Sequence, residues 1–149
     1  MDAPDILVAD DHPLFRAAVV HALREAMPRA RLAEASSATT LGEMLDARPD
    51  VDLILLDLAM PGARGFSALL HVRGARPEVP VVIISSNDHP RVIRRAQQFG
   101  ASGFIPKSSP AESIGEAVAT VLDGGTWFPA MSAERSEGDA RLAARLAQL

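Results

Sequence analysis

The stretch Leu53-Ile54-Leu55-Leu56-Asp57 decides the fold: four apolar residues without a break, then a carboxylate, then the loop Leu58-Ala59-Met60-Pro61-Gly62. A short apolar run bounded by turn residues reads as a strand buried on both faces, the kind that lies in the middle of a parallel sheet. Asp57 then stands at the carboxyl end of that strand. In open parallel sheets ligands bind in the crevice beyond those ends, so an acid there is a candidate site residue. An Asp that merely opens a turn before Pro61-Gly62 is the competing reading.

Working outward, residues 6–9 (Ile-Leu-Val-Ala) form a second buried-strand run that ends in Asp10-Asp11, and residues 81–84 (Val-Val-Ile-Ile) a third that ends in Ser85-Ser86. Residues 103–107 make a brief strand closing on Lys107, and residues 31–35 alternate as an edge strand does. Between the strands lie segments of helical spacing. They are residues 14–27 after His12-Pro13, 40–47 after the candidate caps Ser36 and Ser37, a segment from Phe66 to before Pro77, 90–99 closed by Gly100, and 110–122 closed by Gly124-Gly125. Strand then helix, five times over, predicts a doubly wound α/β domain: a five-stranded parallel sheet with helices on both faces.

Residues 126–149 differ in kind. After Trp127-Phe128-Pro129 comes a polar stretch, and residues 139–149 carry Leu142, Leu146 and Leu149 on one stripe. We read 1–125 as the domain and 126–149 as a linker with an amphipathic helix leading toward an output domain outside this chain. Docking of that helix back on the domain is the alternative.

A chain of 149 residues with 48% hydrophobic content can bury about two-thirds of its unfolded surface in one core. Without cysteine, thiolate metal sites and disulfides are excluded. No apolar stretch approaches a membrane span and no basic-then-apolar leader opens the chain, so the expectation is a cytoplasmic protein without a membrane partner. The net charge of -4 argues against direct grip on nucleic acid. Arg91, Arg94 and Arg95 read as a solvated helix face.

Strand ends thus supply Asp10, Asp11, Asp57, Ser85 and Lys107 to one edge of a parallel sheet. Each could be local: Asp11 a helix cap, Ser85 a turn residue, Lys107 a solvated charge. Together they suggest more. Three carboxylates within a few ångströms repel by several kcal/mol at intermediate dielectric, so the cluster calls for a cation. Oxygen ligands favour a hard ion, Mg²⁺ or Mn²⁺. A hydroxyl and an ammonium beside it suit an anion, and the set points to phosphoryl transfer to Asp57.

At these residues the chain resembles the receiver domain of a two-component response regulator. The matching features are Asp10-Asp11, Asp57 before Met60-Pro61-Gly62, Ser85, Phe104 and Lys107. The stretches Asp10-Asp11-His12-Pro13-Leu14-Phe15-Arg16 and Gly124-Gly125-Thr126-Trp127-Phe128 resemble the NarL/FixJ subgroup, whose receivers precede a LuxR-type helix-turn-helix. The resemblance implies a flavodoxin-like strand order 2-1-3-4-5, an order for which a receiver is a standard example. It implies that Asp57 accepts a phosphoryl group from a sensor histidine kinase. Asp11, Asp57 and the carbonyl of Ala59 would ligate Mg²⁺, with Asp10 acting through a metal-bound water. Lys107 would pair with Asp57 and then with the phosphoryl oxygens. Ser85 would donate to the phosphoryl group, and its movement would let Phe104 turn inward, shifting a population of two arrangements. A phosphorylation-dependent homodimer, and DNA contact only through an output domain, belong to the same implication.

Departures from the family pattern are few. Ser108 follows Lys107 where many receivers have proline, and the family's cis bond there would cost a non-proline residue ~3 kcal/mol. Arg64 replaces a common Asp, removing a helix cap, and the small Ala59 leaves water access to a phosphoryl group. His12, His21, His71 and His89 show no ligand spacing, and only His12 stands close enough to the acids to tune them. Three alternatives remain: a pseudo-receiver that binds protein without phosphorylation; a Mg²⁺-dependent phosphatase or mutase, which lacks its usual second acid because Ala59 stands there; and a flavin-binding domain, poorly served by 4% aromatic residues.

Overall fold

The structure, a computed structural model, describes residues 3–62 and 65–128. Elements alternate throughout: β1 (Asp5–Ala9), α1 (Pro13–Ala26), β2 (Arg31–Ala35), α2 (Ala38–Ala47), β3 (Leu53–Asp57), α3 (Ser67–Ala75), β4 (Val81–Ser85), α4 (Pro90–Gln98), β5 (Gly103–Pro106) and α5 (Ala111–Leu122). All strand pairs are parallel and the sheet order is β2-β1-β3-β4-β5. Both the doubly wound architecture and the strand order expected from the sequence are therefore present.

Every residue of β1, β3 and β4 is buried, which is why these strands are apolar rather than alternating. Alternate side chains feed two cores. Ile6, Val8, Leu53, Leu55, Val82, Ile84 and Ile105 pack with Val19 and Leu23 of α1 and Ile114, Val118 and Val121 of α5. Leu7, Ile54, Leu56, Val81, Ile83 and Phe104 pack with Leu41 and Leu45 of α2, Leu69 and Val72 of α3, and Ile93 and Ala96 of α4. With both faces apolar, a one-residue slip of β3 would not expose hydrophobic side chains. It would carry the Asp57 carboxylate into a dry core, so the strand's final residue pins its register.

Local chemistry sets the helix ends. Pro13 opens α1 at the position where a missing N–H costs nothing. Ser37 and Thr40 form a reciprocal capping box, so α2 starts at Ala38, two residues before the start read from the apolar spacing. Gly100 follows α4 with φ +96°. Gly115 lets α5 approach α1 so closely that a Cβ there would stand 2.7 Å from the Ala26 Cβ. At the amino-terminal edge of the sheet the buried Asp5 accepts from Arg48 Nε and Nη2 at 3.0 and 2.6 Å.

One boundary moves. The sequence reading ended the domain at Gly125, but Trp127 bridges to Gly103 on the outer edge of β5. Its N–H donates to the Ser102 carbonyl at 3.1 Å, and its carbonyl accepts from the Phe104 N–H at 2.8 Å. The backbone is therefore part of the domain through at least residue 127, joined by hydrogen bonds that leave no mark on side-chain pattern. The helix read at 139–149, and Arg64, lie outside the described residues. Among those described, no helix is long and apolar enough to cross a membrane.

Candidate functional site

Three strands end in the same device. The Asp10 Oδ1 accepts the His12 N–H at 2.7 Å, the Asp57 Oδ1 accepts the Ala59 N–H at 3.0 Å, and the Ser85 Oγ accepts the Asn87 N–H at 3.0 Å. Each polar side chain satisfies the amide two residues on, where a parallel strand has run out of partners. The turn readings of Asp57 and Ser85 are thus correct, and they leave atoms over. One oxygen of each carboxylate and the hydroxyl hydrogen of Ser85 remain to act elsewhere. Asp11 does not cap α1: the N-cap is His12, which makes no side-chain capping bond.

The spare oxygens converge. Lys107 Nζ lies 3.1 Å from Asp10 Oδ2 and 3.2 Å from Asp57 Oδ2, and its ammonium sits 4.7 Å from the Phe15 ring centroid. Asp10 and Asp57 are buried, at 0% and 1% exposure, whereas Asp11 is partly open. The Asp11 Oδ1 is a buried atom that makes no hydrogen bond. Arg16 clamps the turn, donating from Nη1 to the Asp10 carbonyl at 2.7 Å and from Nε to Glu34 Oε1 at 2.8 Å. Three carboxylates face one ammonium, so negative charge is in excess, and a free buried oxygen points to a missing positive partner. Asp10, Asp11, His12 and Asp57 each offer a ligand atom, all within 4.8 Å of one another, a donor set that fits a divalent cation.

Of the residues singled out in the sequence, Asp10, Asp11, Asp57 and Lys107 meet in space. Ser85 and Ala59 stand at the same edge of the sheet, Ser85 buried and Ala59 exposed. Phe104 lies inward in this structure: it is 1% exposed and packs in the core with Ile83, Ile93 and Ala96, where an aromatic side chain gains the most from leaving water. The bond before Ser108 is not cis, since no cis peptide occurs among the described residues. With the trans bond, Lys107 N–H donates to the Ser85 carbonyl at 2.9 Å and Ser109 N–H to the Pro106 carbonyl at 2.9 Å.

Other contributors were missed. His12, expected only to lie near the acids, has its Nδ1 3.1 Å from Asp10 Oδ1, 3.3 Å from Asp11 Oδ1, 3.5 Å from Asp57 Oδ2 and 2.8 Å from Lys107 Nζ. Adjacency to Asp11 was the one signal available. Phe15 and Arg16 carry only the subgroup resemblance in sequence; no spacing signal sets Phe15 against the Lys107 ammonium or Arg16 on the Asp10 carbonyl.

Comparison with known proteins agrees with this geometry. The response regulator receiver domain family matches residues 6–119. The chain is 39% identical over 124 residues to the glycerol metabolism activator of Pseudomonas putida, covering 83% of this chain and 56% of that protein. Its fold superposes on the signal receiver domain of the response regulator NarL from Mycobacterium tuberculosis. There the TM-score is 0.74 and the identity 34%, over 83% of this chain and 99% of that one. A LuxR family DNA-binding response regulator from Silicibacter pomeroyi matches with TM-score 0.72 and 32% identity, over 85% and 96% of the two chains. The chain spans about half the length of the curated relatives it matches.

Proposed function

We propose, from the premise that this chain belongs to the response regulator receiver domain family, that Asp57 is the phosphoacceptor of a two-component signalling switch. The observation that carries the reading is the Asp57 carboxylate. It is buried at a strand end, with one oxygen held by the Ala59 N–H and the other 3.2 Å from Lys107 Nζ inside a cluster of acids. The Ala59 bond orients the group, and the oxygen that faces Lys107 is the nucleophile. It would attack the phosphorus of a phosphohistidine on a sensor histidine kinase: an O–P bond forms, the N–P bond breaks, and the imidazole leaves with the electron pair.

Asp10, Asp11 and Asp57, with the Ala59 carbonyl, would hold Mg²⁺, or Mn²⁺ in its place. When bound, the ion offsets the charge of the acids and of the incoming phosphoryl oxygens. Lys107 would exchange its contact with Asp57 for one with a phosphoryl oxygen. The Ser85 hydroxyl hydrogen, not used by the bond from Asn87, would be donated to another. Because Phe104 already lies inside, phosphorylation would hold the inward arrangement rather than create it, favouring one form of the α4, β5 and α5 surface. That surface would pair two copies and act on transcription through a DNA-binding output domain. Such a protein is a switch that takes part in its own phosphorylation and dephosphorylation, not an enzyme that turns over a separate substrate.

Intact mass after incubation with Mg²⁺ and acetyl phosphate tests the reading. One phosphoryl adduct is expected in the wild type, with none in Asp57→Asn and none without Mg²⁺. A wild type that takes no adduct refutes it and favours a receiver that acts by protein binding alone.

A further inference from the structure

His12 is neither an expected ligand nor a surface bystander. Its Nδ1 stands among Asp10 Oδ1, Asp11 Oδ1, Asp57 Oδ2 and Lys107 Nζ at 3.1, 3.3, 3.5 and 2.8 Å. An imidazole nitrogen carries either a hydrogen or a lone pair. With a hydrogen, Nδ1 would suit the carboxylates but would face the Lys107 ammonium, itself only a donor, at hydrogen-bond distance. With a lone pair, it accepts from Lys107 but confronts three carboxylate oxygens. Neither tautomer suits all four neighbours. A divalent cation held by the three acids suits every one of these lone pairs once the Lys107 ammonium gives up its contact with Nδ1, and the unbonded Asp11 Oδ1 is a second atom that needs it.

The geometry points to His12 Nδ1 as a nitrogen ligand in the acid site, giving this receiver a preference for nitrogen-seeking divalent transition ions over Mg²⁺. The inference rests on the divalent-cation reading proposed above and goes beyond it. Oxygen-only sites suit Mg²⁺, whereas adding one imidazole raises affinity along the series from Mn²⁺ toward Co²⁺ and Ni²⁺ and does little for Mg²⁺. His12 stands next to Asp11 in sequence, so its backbone is fixed by the turn on Asp10 while its ring, 58% exposed, keeps access from solvent.

The test is calorimetric titration of the full chain with Co²⁺ and with Mg²⁺, alongside the visible absorption of the Co²⁺ form. All variants carry His21→Ala, because His21 and Glu25 on α1 could hold Co²⁺ by themselves. The parent should bind Co²⁺ at least ~10-fold more tightly than Mg²⁺, and His12→Ala should lower Co²⁺ affinity by ~10-fold or more while Mg²⁺ affinity changes by less than ~2-fold. The Co²⁺ bands should shift with the loss of nitrogen. His12→Ala that leaves the Co²⁺ to Mg²⁺ ratio and the bands unchanged overturns the role of His12, while Mg²⁺ binding and phosphorylation of Asp57 would still stand. A parent that binds neither ion overturns both readings. Asp57→Asn, which should weaken both ions, shows that the titrated site is this one.

Discussion

Replacing Asp11 with Asn should make the domain more stable in metal-free buffer, although it removes a group the site is built around. Ligand atoms of Asp10, Asp11 and Asp57 lie within 4.8 Å of one another. At that separation two carboxylates repel by about 3.5 kcal/mol at an effective dielectric of 20, and by about 1 kcal/mol in water. Lys107, held between Asp10 and Asp57 at 3.1 and 3.2 Å, offsets the repulsion within that pair. Asp11 is left facing both with no such partner. Its side chain is 28% exposed, so solvent screens much of the interaction. A net gain of about 1–2 kcal/mol is expected for Asp11→Asn, equivalent to a rise in Tm of about 4–8 °C. Mg²⁺ should reverse the order: at a hundred times its Kd it stabilises the wild type by about 2.7 kcal/mol and the variant by less. Thermal denaturation with EDTA and with Mg²⁺ reads both effects. A variant that melts below the wild type in EDTA, or that gains as much from Mg²⁺ as the wild type does, refutes the reasoning.

Lys107→Met removes the only ammonium between two buried acids and should cost about 3–5 kcal/mol in urea titrations without metal; an unchanged midpoint would mean the bridge does not persist in solution. Gly115→Ala should cost about 1–3 kcal/mol by forcing α1 and α5 apart, and adding Ala26→Gly should restore most of it; additive losses in the double variant would place the strain elsewhere. Arg48→Met strips the buried Asp5 of its paired donors and should lower stability by about 2 kcal/mol, whereas a loss below about 0.5 kcal/mol would assign that carboxylate to solvent or to Arg31.

How much of this was legible in sequence varies with what each feature depends on. β3 could be read to the residue, because a strand buried on both faces must be apolar and a carboxylate must end it. The end of β4 was set at Ile84 and falls at Ser85, since a serine fits inside or outside a strand equally well. The site acids were legible because parallel strands bring their carboxyl ends to one edge whatever the packing details. His12 was not: sequence gives its neighbour but not the direction of its ring, which the turn closed on Asp10 sets. Phe104 was known by position and not by rotamer. Trp127 was assigned to a linker because a bridge made by backbone amides leaves no periodicity to read.

The bridge at Trp127 also bears on how the sheet avoids joining another. An edge strand shows a row of open amides and carbonyls that a second chain can adopt as a template. The Phe104 N–H of β5 and the Ser102 carbonyl just before it are already taken by Trp127, and Pro106 has no N–H to offer. The opposite edge, β2, carries Arg31 and Glu34 pointing to water. Both margins are thus blunted against strand addition, one by the chain itself and one by charge. Chains crowded together can therefore meet through their helices without the strand-to-strand stacking that open edges invite.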